Sequence, residues 1–479
     1  MLLNWISKWI YQLKTVFARM MCLLQGISFR SYILFSVFLL LVCKAVFSGR
    51  EEATEMEQTK PQPLSAGHVE ITNACFSSDP LIRVQISTVS GSLYHPDVQL
   101  CSSSAIRIVS DVGEDSIASD YKMDIRSYFK EKSIDQCVVK SFSDNDPSDG
   151  IRLLSIQRGD ENPFYPGELE IWYESDSDAF QIVNTVPMEQ YLPGVVASEM
   201  PSSFGLEALK AQAVCARSYA AASIKGGSEV LSDTTADQVY RPCHMDDIVR
   251  TACEETRGEV LTDENGIILK PHYYSTGWGR KADSGVFSKG KLTESDRTKQ
   301  AVVPAAVSLT EAFPLTEQNT LENPDAESPW HMWQCELSAD SSLMQEKFEK
   351  EVQDLYVVER SDSGYVTKIQ ICFRDGTCSD LSGASSIRSL LGSKDTVYTL
   401  SNGESRSNVR LLPSPYFTIQ KEESLQNNAQ DHTGSSEETP VFQIIGSGFG
   451  HGCGMSQYGA SGLAAMGYDY RSILAYYFG

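Results

Sequence analysis

The chain has 479 residues, 41% hydrophobic and 10% aromatic, enough apolar mass for two or three packed domains, which excludes a disordered polypeptide. Its net charge is −23, and the asymmetry is sharper than that figure suggests: residues 1–50 hold six bases (Lys8, Lys14, Arg19, Arg30, Lys44, Arg50) and no acid, leaving 34 bases against 63 acids in the rest. So acidic a body repels phosphate backbones, which argues against a nucleic-acid partner.

In chain order, the basic tail of residues 1–30 leads into SYILFSVFLLLVCKAVFSG, residues 31–49. Lys44 near the end of this run can snorkel, so it reads as a membrane anchor, the alternative being a cleaved signal peptide. The flanking bases place the tail in the cytoplasm and the body outside, periplasmic or on the cell-wall side. Ten of the twelve cysteines lie beyond this run, where disulfides can form. Cys372 and Cys378 flank an Asp375-Gly376 turn and are the best candidate pair, whereas Cys215, among alanines, reads as a small buried hydrophobe.

After a juxtamembrane stretch, residues 50–80, strands are predicted at 81–87, 105–110, from 151, from 168, from 181, from 259 and from 267. Helices are predicted at 188–200 and 206–224. Residues 328–419 read as an inserted subdomain, with polar surface linkers at 288–327 and 421–440. The fold class is therefore α+β, with mostly antiparallel sheets, embedded helices and an N-terminal membrane anchor.

Two segments carry chemistry. In the first predicted helix, Leu192, Val195, Val196 and Glu199 share one side, so an acid continues an otherwise apolar face. Pro201 ends that helix, which leaves Glu199 in the final turn against exposed carbonyls; burial and the negative helix end both favour the protonated carboxyl a general acid needs. A solvated Glu199, or one paired with Arg217, is the structural alternative. Pro193 within the same helix is expected to kink or delay it. The second segment, GSGFGHGCGMSQYGASG at residues 446–462, alternates glycine with His451, Ser456, Gln457 and Tyr458. It suits either backbone bared for a sugar chain or a buried glycine-rich turn.

VPMEQYLPGVVASEMPSSFGLEALKAQAVCARSYA, TRGEVLTDENG with HYYSTGWGRKAD, and GFGHGCGMSQYGASGLAAMGYDYRSILAYYF occur in this order between residues 81 and 479. Together they resemble the sporulation stage II protein D family, which includes amidase enhancer proteins and membrane-anchored lytic transglycosylases that cleave peptidoglycan glycan strands. The resemblance implies that Glu199 is the catalytic acid/base. It also implies that Gln212, Arg217 and Tyr219 hold the acid or the sugar, or else knit the helices together. Ser275, Thr276 and Arg280, with Asp283 nearby, would line one wall of a glycan groove, and His451, Ser456, Gln457 and Tyr458 the other. Partners would be peptidoglycan, the membrane and a cell-wall amidase. No cofactor or metal is expected: Ala236-Asp237 precede Gln238-Val239-Tyr240 where some members carry a His-Cys metal pair, and Cys243, His244, Cys253 and His272 fit no standard zinc spacing. Trp278 stands where the family usually has a small residue, either to stack on a sugar or to fill a gap.

Overall fold

The computed structural model describes residues 69–73, 79–141, 150–243, 246–279, 281–294, 323–421 and 439–479. The predicted anchor at 31–49 lies outside them, and among the described residues no helix is long and apolar enough to cross a membrane.

A seven-stranded sheet forms the first layer, in the order Leu231–Ser232, Leu81–Gln85, Ala179–Pro187, Glu168–Glu174, Gln136–Ser141, Ile106–Ser110, Gly113–Ile117. Every pairing is antiparallel except that of Leu231–Ser232 with Leu81–Gln85. Alternation explains it: Ile82, Val84, Ile106, Ile108, Leu169 and Ile171 point inward and are at most 1% exposed. The strands Gly113–Ile117 and Gln136–Ser141, and helix α1 (Ile125–Lys132), were not expected from sequence, being short and, in the first case, acidic.

Three helices cover the sheet: α2 (Met188–Glu199), α3 (Leu206–Lys225) and α4 (Asp247–Glu255). The central one, α3, is buried nearly all round; Ala208, Ala211, Ala213, Ala216, Ala220 and Ala221 are at most 2% exposed, and their small side chains let neighbours approach closely. Cys215 is buried among them, as expected. Pro193 does not end α2; it removes only the bond its missing amide would have made to the carbonyl one turn earlier.

A second core gathers Trp333, Leu355, Ile369, Ile371, Ile387, Phe417 and Phe442 from two further antiparallel sheets, with helices α5 (Ser342–Lys347) and α6 (Ala384–Leu391). Here the disulfide Cys372–Cys378 forms, across a hairpin whose turn holds Gly376 at φ 75°. The chain closes with α7 (Gln457–Ala465) and α8 (Tyr470–Phe478), both packed on α3.

Two sequence expectations are corrected. The run from 267 is a strand only at Tyr273–Tyr274, because Pro271 cannot donate to a ladder; these two residues pair with Met455–Ser456 in parallel. The stretch 288–327 is not simply a surface linker. Leu292–Glu294 pairs with Cys378–Ser382, and Asn323 and Asp325 are buried. Most of the other predicted linker, residues 422–438, lies outside the described residues.

The glycine-rich segment is a seam between the two cores. Strand Val441–Gly446 belongs to the second core, and the following loop packs on Trp278, which is 5% exposed and stacked on Tyr416 at 3.6 Å. A Cβ on Gly452 would lie 1.5 Å from the Trp278 ring, and its φ is +82°. Trp278 therefore fills a gap, and this part of the loop is bare to admit an indole, not a ligand. Gly452→Ala is expected to cost about 3 kcal/mol or more from overpacking and left-handed strain combined, read as a fall in the urea midpoint.

Candidate active site

Glu199 is the last residue of α2 and half-buried. Its Oε1 accepts from the Val239 backbone amide at 2.7 Å. Burial pushes its pKa up to about 7, against the lowering effects of the Val239 amide, the Gln457 side chain and the Arg241 guanidinium. No carboxylate is among the groups acting on it. Gln457 is the first residue of α7 and 8% exposed; its Nε2 makes no bond of standard geometry, so it influences the acid from close range without a formed hydrogen bond.

Three separated segments converge here. Phe204, just beyond α2, meets the Tyr458 ring with centroids 4.8 Å apart, and the Tyr458 amide donates to the Ser275 carbonyl at 2.9 Å. Sequence gave no sign of the residue that clamps them, Asp325. Its carboxylate accepts from the Gly277 amide at 2.8 Å and from the Ser456 hydroxyl, which also caps α7 through the Gly459 amide at 3.1 Å. A Cβ on Gly459 would lie 1.9 Å from the Tyr477 hydroxyl and 2.8 Å from Asp325 Oδ2, so only glycine fits there. Desolvation raises the Asp325 pKa, opposed by these donors. Tyr273 was also missed; its hydroxyl accepts from Gln238 Nε2 at 3.0 Å, and Gln238 in turn accepts from Tyr191 at 3.2 Å.

Of the substrate contacts expected from the resemblance, several are too deep to touch a sugar. Arg217 is wholly buried: Nε and a terminal nitrogen each donate to Glu189 at 2.8 Å, and further bonds reach the Glu259 and Cys253 carbonyls. It knits α2, α3 and α4 together and does not pair with Glu199. Thr276, fully buried, bonds the Ser328 hydroxyl at 2.7 Å, and Ser456 is a cap. Gln212, also fully buried, has neither amide atom bonded within the structure. Tyr219 donates to Asp237 at 3.1 Å and carries Lys270 over its face at 4.4 Å. Ser275, Tyr458 and His451 remain half-buried with surface to offer, and His451 sits apart, beside His272. Arg280 lies outside the described residues. Asp283 caps a short turn and accepts from Tyr365 at 2.8 Å.

Among the described residues no group of three or more histidines, cysteines or acids is arranged to hold a metal, and His244 lies outside them. Two clefts of about 470 and 440 Å³ are lined by residues of the second core region, such as Glu336 and Asp395 in one and Phe348 and Arg374 in the other, and neither includes Glu199.

Two substitutions separate the acid from the buried Arg217–Glu189 pair. Folding raises the Glu199 pKa, so the native state holds this proton to higher pH than the unfolded chain; stability is lost as pH rises from about 4.5 to about 7, and the penalty is constant above that. Glu199→Gln removes the penalty and is expected to stabilise the protein by roughly 1–3 kcal/mol at pH 8, with the gain vanishing near pH 4. Glu189→Gln leaves the buried Arg217 charge unpaired and should cost roughly 3–5 kcal/mol at either pH. Denaturant titrations at both pH values check the pair.

Residues 176–262, which span Glu199, Arg217 and Val239, match the family model described as Stage II sporulation protein. The chain is 29% identical over 305 residues to the amidase enhancer of Bacillus subtilis (strain 168), covering 60% of this chain and 39% of that one. It is 26% identical over 319 residues to stage II sporulation protein D of the same organism, covering 63% and 75%. An uncharacterized protein of Brachyspira hyodysenteriae is 28% identical over 308 residues, 63% of this chain and 68% of that one. The match thus spans well under half the length of the amidase enhancer. The family model thus falls on the acid-bearing helix, and the chain is similar over about three fifths of its length to proteins named amidase enhancer and stage II sporulation protein D.

Proposed function

We propose that this protein cleaves peptidoglycan glycan strands as a lytic transglycosylase, outside the cytoplasm and held to the membrane by residues 31–49. The names of its relatives support a cell-wall role. The observation that carries the finer reading is the carboxyl of Glu199, poised at about 7 with no second carboxylate acting on it. Hydrolysis by an ordinary glycosidase uses two paired carboxylates. A transglycosylase needs one, because the sugar supplies the nucleophile.

Protonated Glu199 gives its proton to the glycosidic oxygen as the C1–O bond breaks. The resulting carboxylate then takes the proton of the same sugar's 6-hydroxyl, whose oxygen bonds to C1 and closes an anhydro ring. No water is consumed, and Glu199 ends protonated. The Val239 amide stabilises the carboxylate at the midpoint of this exchange, while burial restores its affinity for the proton.

A second reading is favoured by the name of one relative: a non-catalytic activator of a peptidoglycan amidase. The full-length chain in detergent, incubated with purified peptidoglycan and with peptide-stripped glycan, should yield anhydro-ended fragments by mass spectrometry. Glu199→Gln should lower that rate by about 10²–10⁴-fold. The rate should fall on the alkaline side of about pH 7, where the acid loses its proton. Absence of cleavage by the unmodified protein, with an added amidase accelerated, would replace the first reading with the second.

A further inference from the structure

Phe287 is a side chain that the reaction above leaves unused. It closes a short turn, Ser284–Phe287, that is firmly anchored. Asp283 accepts from the Gly285 amide at 2.8 Å and from the Tyr365 hydroxyl, Val286 is plugged into the core beneath, and Ser385 donates to the Ser288 carbonyl at 3.1 Å. Yet the phenyl ring itself is 38% exposed. Single exposed apolar residues are ordinary on a protein surface; here the exposed residue has rings beside it, so the apolar surface is contiguous.

The rings beside it are His272 and His451, each with its centroid 4.9 Å from that of Phe287 and 5.9 Å from the other. The phenyl plane is tilted 50° and 52° to the two imidazoles, so the three make a shallow cup. Burial lowers both imidazole pKa values, that of His451 to about 4, and Cys453 donates its amide to His451 Nδ1 at 3.1 Å. The cup is therefore aromatic and uncharged at neutral pH. Lys270 and Arg388 act on the two imidazoles from outside the cup, but the three rings themselves carry no charge, and the apolar face of a sugar ring finds carbon there to stack on.

Its place relative to the acid decides the occupant. His272 meets the edge of Tyr219 at 6.1 Å, and Tyr219 donates to Asp237, two residues before the Val239 amide that holds Glu199. Lys270 already covers a face of Tyr219. His272 also precedes Tyr273, whose ring points to the Glu199 side and bonds Gln238. The cup and the acid are thus linked through two short segments, residues 237–239 and 272–273.

We propose that Phe287, cupped by His272 and His451, is a glycan subsite that stacks on one pyranose ring of the strand, away from the bond that Glu199 breaks. This rests on the glycan-cleaving reading. It is tested in the full-length chain carrying Glu199→Gln, so that bound saccharide survives, with chitohexaose as the soluble probe and purified peptidoglycan sedimentation alongside. Phe287→Ala should weaken chitohexaose binding roughly 3–10-fold, and Phe287→Tyr should restore it. Binding of chitohexaose unchanged by Phe287→Ala, or weakened equally in Phe287→Tyr, overturns the subsite and leaves the acid at Glu199 standing. A parent that binds neither saccharide nor peptidoglycan overturns both.

Discussion

The buried pair of Arg217 and Glu189 is the constraint on which the rest of the acid-bearing region depends. A guanidinium with no exposure is tolerable only when every face is satisfied, and here the carboxylate takes two of its bonds while the Glu259 and Cys253 carbonyls take others. Glu189 also accepts from the Gly258 amide at 3.2 Å. The start of α2, the middle of α3, the end of α4 and the following strand are consequently tied at one point. With α2 fixed at its first turn and packed through Leu192, Val195 and Val196, its last residue has little choice of position.

That packing also sets the proton affinity of Glu199. Its carboxyl is half out of water at a helix end, bonded to the Val239 amide and acted on by Gln457 and Arg241. The opposite wall is built on different terms. Around Asp325 the donors are backbone amides and a serine hydroxyl, and no cation is among the groups that act on it. The helix that bears Glu199 is thus locked by a charge pair, and the segments at 277 and 456–459 by a carboxylate solvated with peptide dipoles.

Much of the acid's setting was legible in sequence, because Glu199 interrupts an apolar face and Pro201 marks the helix end. The strands with clean alternation, such as Leu81–Gln85 and Glu168–Glu174, were equally readable. Arg217 was visible as a candidate, but its partner was not, since Glu189 lies 28 positions away and nothing local distinguishes it from a surface glutamate. Asp325 was hidden for another reason. It sits in a polar stretch with the composition of a linker, and its burial comes from distant segments folding over it, the glycine-bearing ones at 277 and 456–459 and the tyrosines of α8. The glycines themselves pointed to close approach correctly; what approaches Gly452 is Trp278, and composition carries no information about which partner arrives.

The contacts of Asp325 with Gly277, Ser456 and Gly459 also bear on the order in which the molecule becomes competent. A chain emerging from the ribosome or crossing a membrane presents α2 and its acid long before residues 456–459 exist to complete the opposite wall. Until they arrive, Gln457 is not beside the carboxyl, Tyr458 is not against Phe204, and Glu199 is an ordinary glutamate in water. The environment of Glu199 is therefore complete only once a segment far downstream of it, residues 456–459, has packed against Asp325.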